Sequence, residues 1–188
     1  MPITTLDQKI ALIVIDLQTG ILATPKVHPV DEIVANVLQI LKAFRESELP
    51  VVLVNVAGGA PGRNEQTPSG GELPKGWSDL IPELNQQESD HLVTKRTWGA
   101  FTNTDLNDYL KKADVTQVVI VGIATSIGVE STARQAQELG FNVNLIVDAM
   151  TDLNLDTHTN SVTRIFPRLG ETGTTAEIIS LLKARNLE

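Results

Sequence analysis

The run Ile10-Ala11-Leu12-Ile13-Val14-Ile15 contains no polar side chain and closes on Asp16. A stretch so rich in β-branched residues, apolar at odd and even positions alike, reads as a strand buried on both faces, as in parallel sheets. Such a strand needs helices above and below it, and that requirement narrows the fold more than any other feature of the chain. In open parallel sheets, ligands bind beyond the carboxyl ends of the strands. Asp16 is therefore a candidate site residue as readily as it is a solvated acid opening a loop.

The rest of the chain supplies the partners. Val30, Ile33, Val34, Val37, Leu38, Leu41 and Phe44 recur at three- and four-residue steps, the pattern of an amphipathic helix. Val51 to Val56 follows Pro50 as a second strand, and His91 to Thr94 is a short strand ending at Lys95. Thr102 to Asp105 resembles a helix start leading into Leu106, Tyr109 and Leu110. Gln117 to Val121 is a fourth strand, stopped by Gly122. A helix then carries Ala133, Ala136 and Leu139 on one side, with Gly140 as its cap. Val143 to Asp148 is a fifth strand ending in an acid, and a weaker helix covers 157–166. Glu171 to Gly173 fits a sixth, edge strand, and Thr174-Thr175-Ala176-Glu177 has the spacing of a capping box before a last helix. Strand and helix alternate throughout, which predicts one domain over 1–188, a three-layer α/β/α sandwich around a mostly parallel, Rossmann-like sheet.

Composition removes several functions. The net charge is −8 with both signs interspersed, which argues against nucleic acid or an anionic membrane as partner. No apolar run reaches membrane-spanning length, and Met1 to Asp7 lacks the basic start and apolar stretch of a secretory signal, so a cytoplasmic location is expected. There is no cysteine, which excludes disulfides, thiolate metal sites and thiol nucleophiles. Neither a Rossmann glycine fingerprint nor a Walker phosphate loop is present. The Gly/Pro-rich stretch from Gly58 to Trp77 is long for a compact domain and reads as a functional loop or lid.

Three strand ends carry suggestive chemistry. Asp16 and Gln18 follow the first, and Lys95 and Arg96 end the third, with Trp98 and Phe101 just beyond. The fourth runs into the small-residue turn Gly122-Ile123-Ala124-Thr125-Ser126-Ile127-Gly128 and then a helix start, whose free N–H groups favour negative charge. An acid, a cation and an N–H cradle meeting in one crevice would suit an oxyanion or a bound carboxylate. Gln18, Trp98, Phe101, Ile123, Ala124 and Thr125 are the candidate substrate-binding residues.

The segments from Ile15 to Gly20, Thr94 to Leu106, Gly122 to Ala133 and Val147 to Ala149 together resemble the isochorismatase-like hydrolase family, also called the cysteine hydrolase superfamily. The resemblance covers Ala11 to about Ile178. It implies a six-stranded parallel sheet with helices on both sides, a homo-oligomer of two or more copies, and a cis peptide in the Ile123-Ala124 turn. Asp16 and Lys95 match two members of the family's Asp–Lys–Cys triad. The third position holds Gly128, so a thioester route is impossible. Isochorismate-cleaving members resemble the chain in carrying a small residue there.

Enol-ether cleavage needs protonation of carbon and addition of water rather than acyl transfer. On that reading Asp16 is the general acid, Lys95 orients it or holds a substrate carboxylate, and N–H groups near Ala124 and Gly128 support developing charge. Two alternatives stay open: water attack on a small amide with Asp16 as base, or a binding protein that kept the fold after losing the thiol. No metal or other cofactor is expected, because His28, His91 and His158 are scattered along the sequence and Asn55 to Gly59 lacks the ligands of the nicotinamidase branch. Asp148 is assigned a structural role, and Arg63 and Arg96 are left outside the catalytic set.

Overall fold

Every residue of β1 (Ile10–Ile15) is buried. The computed structural model, which describes residues 3–65 and 73–185, shows what covers it. The strands are β1, β2 (Val51–Val56), β3 (His91–Lys95), β4 (Gln117–Ile123), β5 (Asn142–Thr151) and β6 (Glu171–Gly173). They form one six-stranded sheet in the order β3-β2-β1-β4-β5-β6, and every pairing is parallel. The helices are α1 (Thr19–Leu22), α2 (Val30–Glu46), α3 (Leu106–Lys112), α4 (Glu130–Glu138), α5 (Leu155–Asn160), α6 (Phe166–Leu169) and α7 (Thr175–Arg185).

Alternate residues of β1 feed separate cores, as a period of two demands. Ile10, Leu12 and Val14 pack with Val37, Ile40, Leu41 and Phe44 of α2 and with Ile178 and Leu182 of α7. Ala11, Ile13 and Ile15 face the other way, toward Leu106 and Leu110 of α3, Ala133 and Ala136 of α4 and Phe166 of α6. Each large apolar side chain buried this way contributes about 1.5–3 kcal/mol. Helices therefore cover both faces of the sheet, giving the expected three layers. At the start of α7 the predicted capping box forms, with Glu177 Oε2 accepting the Thr174 N–H at 2.7 Å. Among the described residues no helix is long and apolar enough to cross a membrane.

Three details depart from the sequence reading. Gly122 does not stop β4; the strand runs to Ile123, with Gly122 paired to Ile15 at a φ of +115. A Cβ at Gly122 would lie 2.1 Å from the Ile15 carbonyl oxygen, so only glycine lets β1 and β4 approach here. Gly122→Ala is expected to cost about 3 kcal/mol or more, from backbone strain and overpacking together, read as a lower urea midpoint.

The second departure is in β5, which continues past Asp148. Its register against β4 jumps from Ile120↔Leu145 to Gly122↔Met150, a bulge that extends the strand to Thr151. Asp148 is thereby turned aside, where Oδ1 accepts the Thr175 N–H at 2.8 Å and the Thr175 hydroxyl at 2.9 Å at the head of α7. Its role is structural, but the acid at the strand's true end is Asp152. Thirdly, Leu139 is exposed rather than packed, because α4 stops at Glu138.

Strand order reverses between β1 and β4, since the chain leaves β1 toward β2 on one side and returns to β4 on the other. The carboxyl ends of those two strands are where a crevice opens in this topology.

Candidate active site

Asp16 is the first residue beyond β1, held to the sheet by its N–H on the Val54 carbonyl at 2.9 Å. Its φ of +52 is left-handed, a conformation that aspartate tolerates better than most residues. Lys95 ends β3, two strands away, in register with Val56. Neighbouring strands lie about 4.8 Å apart, so the lysine must stretch across β2. Its Nζ reaches Asp16 Oδ2 at 2.7 Å and the Thr97 carbonyl at 3.3 Å. Both side chains are buried, at 6% exposure for Asp16 and 2% for Lys95.

Gly128 is the third corner. A Cβ built on it would sit 3.2 Å from Asp16 Oδ2 and 2.9 Å from the Ile15 Cγ2 methyl. The Ile123-Ala124 peptide beside it is cis, as the resemblance implies.

Burial governs the electrostatics. It pushes the Asp16 carboxyl up from 3.8 to about 6, while the charge and hydrogen bond of Lys95 pull the other way and lose. Desolvating a carboxylate disfavours its charged form, and a nearby cation only partly offsets that. Asp16 Oδ1 is buried and has no hydrogen-bond partner among the described residues. One oxygen of the acid is thus engaged and the other left over.

These groups share a cavity of about 340 Å³. Of the residues expected to touch a substrate, Trp98, Ile123 and Ala124 line it, and Trp98 stands 63% exposed at its mouth. Gln18, Phe101 and Thr125 stand off the cavity. Gln18 is fully buried and its amide is spent on backbone: Nε2 donates to the Val56 and Trp77 carbonyls, and Oε1 accepts the Val56 N–H at 2.7 Å. Phe101 turns into the core, its ring centroid 6.0 Å from that of Phe141. The Thr125 hydroxyl is occupied by His158 Nδ1 at 2.8 Å.

Wall residues that the sequence reading missed include Ile21, Thr24, Lys26, Trp77 and Leu153. Gly20 carried the available signal, since a Cβ there would meet the Trp77 indole at 2.1 Å. The missing side chain admits the ring. Residues 66–72, the middle of the Gly58–Trp77 stretch read as a loop or lid, lie outside the described residues; Gly58 and Trp77 at its two ends both line the cavity.

The helix start after β4 differs from the N–H cradle expected. It begins as a π turn, Thr125–Val129. The Ser126 N–H there donates to Asp152 Oδ2 at 2.6 Å, while Asp152 Oδ1 accepts the Leu153 N–H at 2.7 Å. The protein's own carboxylate therefore occupies part of the positive helix end.

Two of the three histidines, separate in sequence, also meet behind this turn. His28 and His158 have ring centroids 4.7 Å apart, and His28 Nδ1 lies 3.0 Å from the Thr151 hydroxyl. Burial lowers the His158 pKa, His28 lowers it further and Asp152 opposes both. His91 lies at the start of β3, stacked on Tyr109 and 3.2 Å from Asp105 Oδ1. Arg96 holds the Ala57 carbonyl at 2.9 Å, and Arg63 is exposed. Among the described residues no three His, Asp or Glu side chains are grouped to hold a metal ion. A hollow of about 520 Å³ at the opposite ends of the strands includes Asp7, Gln117 and Glu171 in its lining. Its two acids are bonded to Thr116, Asn142 and Thr4, so it offers no acid–cation pair.

Comparison with known proteins bears on the family and the fold. Residues 10–177 match the isochorismatase domain. The chain is 40% identical over 186 residues to the uncharacterized isochorismatase family protein YwoC of Bacillus subtilis (strain 168), covering 94% of this chain and 95% of that one. It is 39% identical over 179 residues to the uncharacterized isochorismatase family protein YecD of Escherichia coli O157:H7, covering 92% and 95%. A solved isochorismatase family protein from Burkholderia thailandensis superimposes with a TM-score of 0.90 at 40% identity, covering 95% of this chain and 98% of that one.

Proposed function

Because the chain belongs to the isochorismatase family of hydrolases, we propose that it cleaves a small anionic metabolite without a covalent intermediate, by proton transfer from Asp16, with isochorismate-type enol-ether cleavage as the leading reaction. One observation carries this reading: a buried acid whose Oδ2 is held by Lys95 and whose Oδ1 has no partner, facing a glycine where a nucleophile would stand.

The chemistry follows from that asymmetry. Lys95 keeps Oδ2 as its acceptor in both protonation states, so Oδ1 carries the proton. Oδ1 gives it to the terminal carbon of the enol ether, and the carbon bearing the ether oxygen becomes an oxocarbenium ion. Water adds to that carbon and returns a proton to Asp16. The hemiketal then collapses to a ketone, pyruvate in this case, and the freed alcohol. Gly128 leaves room beside the acid for the reacting group, while Ile123, Ala124 and Trp98 contact the remainder.

An acid must hold its proton to act, and a lysine neighbour alone would strip it. Burial answers that objection: with a pKa of about 6, Asp16 is protonated in roughly one molecule in ten at pH 7. The test is to incubate the protein with isochorismate and follow pyruvate as pH is varied. The expected kcat/KM is flat below pH 6 and falls about tenfold per pH unit above it.

The same pKa supports a second reading, in which ionised Asp16 is a base that activates water toward a small amide. There the rate rises through pH 6 and ammonia is released. Pyruvate absent at every pH would remove the enol-ether reading and leave this one and the binding-protein reading, which ammonia release from small amides then separates.

A further inference from the structure

We propose that Lys26 is the anion-binding end of the cavity, which therefore takes a small carboxylate with a flat apolar body, its charge at Lys26 and its reacting carbon at Asp16. The orientation rests on the reading of Asp16 as the reacting group; the binding does not.

The cavity has three charged groups among its described lining residues, Asp16, Lys95 and Lys26. Asp16 and Lys95 satisfy each other at 2.7 Å. Lys26 has no carboxylate within ion-pair reach among the described residues. Its Nζ is instead fixed by three neutral acceptors, the Ile21 carbonyl at 2.6 Å, the Thr24 carbonyl at 2.5 Å and the Thr24 hydroxyl at 2.7 Å. Asp152 is close enough to be felt, but both its oxygens are taken by backbone N–H groups.

A half-buried ammonium held in place by dipoles alone is an incomplete charge pair. Burial accordingly lowers its pKa, and a bound anion would supply the missing counter-charge. The Thr24 hydroxyl donates to the Ile21 carbonyl at 3.3 Å while accepting from Lys26, and it is the acceptor that an incoming carboxylate oxygen replaces. Much of the remaining wall of the cavity is apolar, from Ile21, Trp77, Ile123, Ile127 and Leu153. An aromatic or unsaturated body suits that wall better than a polar chain does.

Lys26 also caps the carbonyl end of α1, and a purely structural role would stop there. Calorimetric titration with benzoate and with benzamide, at one pH and ionic strength, separates the two roles. The unmodified protein is expected to bind benzoate at least about fivefold more tightly than benzamide. Lys26→Gln, which keeps a donor for the α1 carbonyls, is expected to weaken benzoate about tenfold and benzamide less than about twofold. Lys26→Arg, which keeps the charge, stays within about threefold for benzoate.

Equal binding of the two probes, binding of neither, or an equal loss of both in Lys26→Gln overturns the proposal. Should Lys26→Gln fail to fold, the benzoate preference of the unmodified protein and its decline at high salt decide the matter in the same way. No turnover is involved, so failure of pyruvate release leaves this result untouched, and failure here leaves the pH test of Asp16 intact.

Discussion

Asp16→Asn is expected to lower kcat/KM for pyruvate release by about 10²- to 10⁴-fold, the usual contribution of a positioned acid or base. The dependence centred near pH 6 should disappear with it. Asparagine is the informative replacement for a conformational reason. At a φ of +52 it is among the few residues that fit without strain, whereas alanine would add a backbone penalty to the chemical one. Its amide oxygen can still accept from Lys95 Nζ, and its nitrogen takes the place of Oδ1, which has no partner to lose. A native near-UV circular dichroism spectrum alongside the lost activity would assign the effect to the proton. Activity within about tenfold of the parent would mean that the proton comes from elsewhere, and both catalytic readings of Asp16 would fall together.

What the sequence makes legible is set by how local each signal is. The doubly apolar β1 run required cover on both faces, and α2 announced itself by period; these are properties of a few consecutive residues. Asp16, Lys95 and the turn after β4 could be grouped because strand ends in a parallel sheet converge, whereas Gly128 within that turn was singled out by the family resemblance. Direction was harder to read than position. Gln18 has the right type and place, yet its amide ties the end of β2 to Trp77, and nothing in its neighbours indicates that.

The missed wall residues depend on long-range return of the chain. Leu80 pairs antiparallel with Gln18, and that bridge brings the segment carrying Trp77 back over Gly20. Asp152 was hidden by a bulge: Asp148 looked like a strand end because an acid closed the apolar run, while pairing with β4 resumed beyond it at Met150. His28 and His158 meet because the loop before α2 and helix α5 both close over the same turn, and spacing along the chain carries no trace of that.

The second large effect concerns Lys95, whose removal separates chemistry from packing by its pH dependence. Lys95→Met keeps the aliphatic stem that fills a fully buried channel and deletes the ammonium. Asp16 then keeps its burial penalty and loses the one charge that opposes it, so its pKa rises above about 6. The sign follows from linkage. An acid whose folded pKa exceeds its unfolded value of 3.8 stabilises the fold most below 3.8, and that contribution is lost as pH rises through the folded pKa. In the parent this loss levels off a little above pH 6; in the variant it continues to higher pH.

The stability deficit of Lys95→Met should therefore be small at pH 5, where Asp16 is largely protonated in both proteins, and about 3 kcal/mol or more at pH 8, where the parent holds an ion pair and the variant a lone buried carboxylate. Urea midpoints at the two pH values measure it. If catalysis survives, the descending limb of kcat/KM shifts upward in pH by the same change in Asp16. A deficit equal at pH 5 and pH 8 would mean that Lys95 acts as filling rather than as a charge, and Asp16 would then owe its proton to burial alone.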